Sequence, residues 1–264
     1  LASGKMNSIG LANNHMCRSW MLSTEAWGKP RDEKRLPAPL GNAYWTQEIY
    51  YHLLNVVLRL PPSAGSASGV LPNPVGHNRV YVKLDGKFSI DAWWQGLAAG
   101  RCFVANGPLL VAKADGQWPG TVLKSAKPTK IRIEMDLTSW DQVSNLEIVQ
   151  NGKVVRRVAC TKARHQEQVI EIEAKESGWF LVRAIADNSD VFRFASTGPF
   201  YLEIGETKKR ISRESSQFFL DWVDERMERV RRNLSDEAQR KEVLQPHQDA
   251  RRWWSKRVDE SNAK

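Results

Sequence analysis

Apolar side chains fall on alternate positions in seven short runs: Leu109 to Ala114, Lys130 to Leu137, Asn145 to Val149, Lys153 to Cys160, Gln168 to Ala174, Trp179 to Ala186 and Phe200 to Ile204. A strand points successive side chains to opposite faces, so a period of two predicts strands with one buried face. Asp115-Gly116 and Asn151-Gly152 mark hairpin turns, because these dipeptides accept the positive φ angles of a tight type I′ turn. Strands at roughly ten-residue spacing with no helical pattern among them predict an antiparallel, immunoglobulin-like β-sandwich over residues 109–205.

Upstream the pattern differs. Residues 7–12, Asn-Ser-Ile-Gly-Leu-Ala, form a short apolar run that ends on Asn13-Asn14-His15, the way a buried parallel strand delivers polar groups to its C-terminal edge. Residues 26–43 carry Pro30, Pro37 and Pro39 with the charged run Arg31 to Arg35, and predict an irregular exposed excursion. From Thr46, the positions Ile49, Leu53, Val56, Val57 and Leu60 recur at helical spacing and stop at Pro61-Pro62. A turn-rich stretch over 61–79 leads into a strand from Arg79 to Leu84. Ser89 then caps a helix from Ile90 to Ala99, Gly100 ends it, and Cys102 to Ala105 makes another strand. Strand, helix, strand is α/β order.

Beyond residue 205 the apolar positions Ile211, Phe218, Trp222, Met227, Val230 and Leu234 repeat at helical spacing. Ser235 and Asp236-Glu237 open a second helix, Pro246 is expected to interrupt it, and Ala250, Trp253, Trp254 and Val258 give a third stripe.

With 264 residues and 41% hydrophobic content, the chain has enough apolar surface for a core. No apolar run approaches the roughly 20 residues that a membrane helix needs, so no membrane partner is expected. The net charge of +9 invites a nucleic-acid reading, but residues 205–264 hold 15 basic and 12 acidic residues of alternating sign, a net of +3. Phosphate binding calls for clustered cations, so no nucleic-acid partner is expected. Cys17, Cys102 and Cys160 are far apart and suggest neither a disulfide framework nor a zinc knuckle. The start, Leu1-Ala-Ser-Gly-Lys, has no charged segment leading into an apolar one, and reads as the interior of a longer chain.

Local chemistry is sparse. The glycines at 65 and 69 lack the Gly-Lys-Ser/Thr ending of a phosphate loop, and the five histidines form no metal-binding spacing. No Gly-x-Ser-x-Gly elbow occurs. Trp118, Trp140 and Trp179 fall in the sandwich region, where flat rings can form a sugar-binding platform or simply pack.

Several blocks taken together do resemble a family. The runs Ser8 to His15, Arg59 to Ser68 and Asn78 to Gly86, the helix Asp91 to Gly100 and the sequence Val104-Ala-Asn-Gly-Pro-Leu-Leu110 resemble the C-terminal half of PHP-superfamily metallohydrolases of the carbaryl-esterase-like branch. The resemblance implies a distorted TIM-like barrel followed by a β-sandwich, with the His-x-His pair and most metal ligands upstream of Leu1. It also implies that Ala67 stands where such proteins commonly carry an aspartate, and a methyl group holds no cation.

The expected architecture is therefore multidomain, α/β plus all-β. Residues 1–108 form the end of a PHP-like barrel, 109–205 the sandwich and 206–264 a helical tail. His15 is the candidate catalytic group, or else a histidine satisfied by loop carbonyls. Asn13, Asn14, Ser66, Ser68, Asn73 and Asn78 are candidate ligand-binding residues, and no metal ligand is assigned. No cofactor is expected in this chain, while zinc, iron or manganese is implied for an intact homologous enzyme. Two functions follow: a piece of a metal-dependent ester or phosphoester hydrolase, inactive alone, or a non-catalytic ligand-, carbohydrate-binding or scaffolding protein that kept the fold. The expected partners are a small molecule, and a missing N-terminal segment or a second copy covering the barrel edge.

Overall fold

The structure, a computed structural model, describes residues 1–16, 28–69 and 73–264. In chain order the elements are β1 (Ile9–Ala12), α1 (Gly41–Asn55), β2 (Pro62–Ala64), β3 (Arg79–Val82), α2 (Ile90–Ala98), β4 (Cys102–Ala105), β5 (Leu109–Ala114), β6 (Val122–Ser125), β7 (Thr129–Thr138), β8 (Asn145–Gln150), β9 (Lys153–Ala159), β10 (His165–Ala174), β11 (Gly178–Ile185), β12 (Phe194–Thr197), β13 (Phe200–Ile204), α3 (Arg213–Asn233) and α4 (Glu237–Asp259).

All seven alternating runs are strands. They divide into a small antiparallel sheet, β10-β7-β5, and a large sheet, β3-β4-β12-β11-β13-β6, with β8 on the other edge of β11 and β9 beyond it. Leu110, Ile131, Ile133 and Leu137 of the small sheet close against Leu146, Ile148, Phe180, Val182 and Phe200 of the large one. The opposite face of the large sheet is covered as well: Trp179, Leu181 and Phe194 meet Tyr50, Tyr51 and Leu54 of α1. Strand β11 is thus buried on both faces, which is why its sequence is a nearly continuous apolar run. Helices α3 and α4 complete the layering, with Phe219 and Trp254 closing over Leu53 and Val56.

The turn chemistry is as the sequence demands. Asn151 and Gly152 have φ of 50° and 87°, and Asp115 and Gly116 have 47° and 74°. The Asn151 side chain also ties the hairpin to β11, its Oδ1 accepting from the Trp179 amide at 3.1 Å.

Five features depart from the sequence reading. First, β3 and β4 do not make a parallel crossover around α2. They pair antiparallel, Val82 opposite Cys102, and β4 continues onto β12, so one sheet runs through residue 108. Helix α2 itself is as expected: the Ser89 hydroxyl accepts from the Ala92 amide at 3.1 Å, and Gly100 follows at φ 75°. Second, parallel pairing among the described strands is confined to β1–β2 and β13–β6, with one isolated parallel bridge at Ser212 and Ala263, and the described strands form no closed barrel.

Third, α1 begins at Gly41 rather than Thr46, and Arg31 of the supposedly exposed run is buried. Its Nε donates to Leu36 O at 2.9 Å and its Nη1 to Asn42 Oδ1 at 2.6 Å. A Cβ on Gly41 would lie 2.1 Å from Leu36 O, so only glycine admits this approach. Fourth, β2, β6 and β12 are strands of three or four residues, too short for alternation to announce them. Fifth, α4 passes through Pro246 unbroken, and His247 Nδ1 lies 2.7 Å from Val243 O one turn back. Of the cysteines, Cys102 is buried, Cys160 half-buried and both are free thiols, while Cys17 lies outside the described residues.

Candidate functional site

The residues singled out as candidate ligands gather in part at the C-terminal ends of β1 and β2. There Ala12 and Ala64 are register partners and Gly65 N donates to Ala12 O at 2.9 Å. Asn13 Nδ2 donates to Gly10 O, and Asn13 Oδ1 accepts from the His15 amide at 2.9 Å. Asn78 donates from its amide to Ser66 Oγ at 2.9 Å and from Nδ2 to Gly65 O at 3.0 Å. These bonds shape backbone, and they are the usual work of Asn and Ser in turns. Asn14 is half-buried, Ser68 is exposed and Asn73 is buried beyond this knot. His15 is partly buried, its Nδ1 has no hydrogen-bond partner among the described residues, and burial lowers its pKa, so the ring is neutral at pH 7.

A cavity between the two sheets lies elsewhere. The two sheets part where β5, the edge of the small sheet, faces β3 and β4 of the large one, and the β5–β6 loop lays Trp118 across the gap. The result is a cavity of about 150 Å³ lined by Tyr81, Phe103, Leu110 and Trp118, with Lys83 and Arg101 also in its wall. Tyr81 and Phe103 are cross-strand partners whose rings stack, centroids 4.6 Å apart. Lys83 Nζ and Lys113 Nζ lie 5.6 and 5.0 Å from the Trp118 ring centroid, within cation–π range. Asp85 takes both Lys83, at 3.1 Å, and Arg101 as ion-pair partners, and these hold its carboxyl below the usual range. The Arg101 Nε is buried and has no acceptor among the described residues. Cys102 also lines the space, and burial pushes its thiol up to about 12, so it is protonated and inert as a nucleophile.

Two polar clefts flank the molecule. On the far side of Trp118 a cleft of about 450 Å³ runs over the outer face of the small sheet, past Lys113, Glu134, Asp136 and Glu167. Asp136 and Glu167 are cross-strand partners, and with His165 their ligand atoms lie within 4.8 Å of one another, the group of described residues that could hold a metal ion. All three are exposed to water. Between α1, the β8–β9 hairpin and α3, a cleft of about 510 Å³ includes His52, whose Nδ1 is 2.9 Å from Ser215 Oγ. Ser215 is 1% exposed and its hydroxyl also accepts from Asn55 Nδ2, so this pair is a packing contact rather than a nucleophile and base.

The three sandwich tryptophans do not form one row. Trp179 is 1% exposed and donates from Nε1 to Asn55 Oδ1, whereas Trp140 is 80% exposed beneath the Arg164 guanidinium. Only Trp118 of the three lines the cavity. Tyr81, Lys83, Arg101 and Phe103 were not marked out by sequence reasoning. The signal for them was two period-two pairs, Tyr81 with Lys83 and Arg101 with Phe103, which antiparallel pairing then brings side by side.

No helix among the described residues is long and apolar enough to cross a membrane. No protein-family model matches the chain, and no curated protein does. Among solved structures, the chain is similar to the CARDB domain of PF1109 from Pyrococcus furiosus. The crystal structure of that domain, in complex with di-metal ions, is 14% identical, with 38% of this chain and 96% of that one covered at a TM-score of 0.25. Its solution structure is 13% identical over the same shares, at a TM-score of 0.26. These neighbours are CARDB domains, not PHP-superfamily metallohydrolases, and the resemblance drawn from the sequence is corrected accordingly. Two of the blocks that suggested it serve the large sheet instead: Val104 and Ala105 pair antiparallel with β3 and β12, while Ser8 to His15 and Arg59 to Ser68 supply the separate pair β1–β2. Asn106 finishes that edge, its Nδ2 donating to Phe192 O and its Oδ1 accepting from the Phe194 amide.

Proposed function

We propose that this chain is a non-catalytic binding module, built on an immunoglobulin-like sandwich, that holds a small cyclic ligand in the cavity beside Trp118. The observation that carries the reading is the lining: aromatic and aliphatic walls with two cations, and neither a histidine nor a carboxylate among the lining residues. Small-ligand sites are mostly apolar with a few placed polar groups, and this cavity has that composition. The lining offers no carboxylate or imidazole as an acid–base group, and its one thiol stays protonated. The polar knot around Asn13, Ser66 and Asn78 spends its hydrogen bonds on backbone, which favours a structural part in supporting β1 and β2.

Saturation-transfer NMR on the full chain with a set of single-ring fragments tests the proposal. The wild-type chain transfers saturation to ring fragments and Trp118→Ala does not. Equal transfer by both chains, or none by either, overturns it.

A further inference from the structure

Resting on that reading, the composition of the cavity narrows the ligand class. We infer that the cavity takes one aromatic ring bearing an anionic group, a single-ring aryl carboxylate, with its ring against Phe103, Leu110 and Trp118 and its charge toward Lys83 and Arg101.

Size sets the first limit. An apolar cavity of roughly 150 Å³ accommodates a benzene-sized molecule, and this one, at about 150 Å³, suits a single ring. Wall chemistry sets the second. Tyr81, Phe103 and Trp118 offer ring faces and edges, which favour a planar π system over a flexible aliphatic chain.

Charge sets the third. Lys83 and Arg101 line the cavity and share one carboxylate, Asp85, while Lys113 lies opposite Glu134 on the small sheet. The local surplus is positive. Two cations that share one carboxylate have donor capacity left for a second acceptor beside the cavity. A carboxylate supplies the acceptor, and a guanidinium offers it a planar, charge-assisted fit. A neutral ring would leave that surplus charge uncompensated.

The test is isothermal titration of the full chain with benzoate, benzyl alcohol and acetate. Benzoate is expected to bind one per chain at about tenfold the affinity of benzyl alcohol, the size of one charge-assisted hydrogen bond, with acetate giving no saturable heat. Arg101→Gln is expected to abolish the advantage of benzoate over benzyl alcohol. Lys83→Gln makes the same test through the other cation should Arg101→Gln lose its near-ultraviolet circular dichroism. Benzyl alcohol binding as tightly as benzoate overturns the anionic class while leaving the ring-binding reading standing. Acetate binding as tightly as benzoate overturns the aromatic class. No binding of either ring compound to a folded chain overturns both the inference and the reading beneath it.

Discussion

Two arginines on the large sheet sit in opposite circumstances. Arg183, on β11, faces α1 at 9% exposure. Its Nε donates to Glu147 Oε2 at 2.7 Å and its Nη1 to Gln47 Oε1 at 2.6 Å and the Tyr51 hydroxyl at 3.1 Å. Arg101, just before β4, pairs with Asp85 through Nη1 and has a buried Nε with no acceptor among the described residues. Arg183 spends its Nε and Nη1 on side chains of the chain itself, and these bonds fix how α1 lies on the sheet. Arg101 shares one carboxylate with Lys83 beside aromatic walls and open space, and a further partner is expected from outside.

That contrast can be broken most forcefully in the apolar residues of the core and of the cavity wall. Phe180 is fully buried between the sheets and stacked on Phe200 at 4.9 Å, so Phe180→Ala is expected to cost about 3–5 kcal/mol in urea unfolding. Trp118→Ala, at a half-buried cavity wall, is expected to cost about 1 kcal/mol or less while abolishing ring binding. Comparable costs at the two positions would mean that Trp118 is core rather than site.

The arginines themselves give a smaller effect. Arg183→Met strands the Glu147 carboxylate, which retains only the exposed Arg157 at 2.9 Å, and is expected to lose about 2–3 kcal/mol, partly recovered by adding Glu147→Gln. Arg101→Gln is expected to change stability by about 0.5 kcal/mol or less, since its ion pair with Asp85 is exposed. Chemical denaturation of the four chains checks both figures, and an equal loss at Arg101 would remove the distinction.

The smallest effect concerns pH. Burial lowers the pKa of His52 beside α3, with Glu214 and Glu48 opposing in part. The unfolded chain takes up the proton near the model-peptide value of 6.5 and the folded chain resists it to lower pH. Stability is therefore full above about pH 6.5 and declines as pH falls below it, because the unfolded state binds more protons there. His15 is shifted the same way and adds to the slope. His52→Gln is expected to flatten the fall in melting temperature between about pH 7 and pH 5. The lining of the cavity contains no histidine, so benzoate affinity is expected to hold level between about pH 7 and pH 5, above the carboxylic-acid range. An unchanged melting slope would place the acid sensitivity elsewhere.

Alternation carried the sandwich into view because strands such as β7 keep one face buried over ten residues, with Ile131, Ile133, Met135 and Leu137 inward. Three kinds of information were not legible. Strands β2, β6 and β12 are too short to establish a period. The early start of α1 depends on Arg31 threading back to Leu36 and Asn42, a tertiary contact that overrides the proline-rich composition. The cavity depends on β5 of one sheet facing β3 and β4 of the other, and sequence spacing holds no record of which strands lie across a gap. Trp118 was visible as a tryptophan in the sandwich. That Trp118 rather than Trp140 or Trp179 would wall the cavity follows only from topology.

The most direct measurement is a two-dimensional 1H–15N spectrum of the indole region during a benzoate titration, with the Trp118 signal assigned by its disappearance in Trp118→Phe. The account predicts that the Trp118 Nε1–H resonance moves saturably while those of the buried Trp179 and the exposed Trp140 stay in place. A Trp118 resonance that does not move while benzoate binds, or one that moves no further than Trp140, would contradict it.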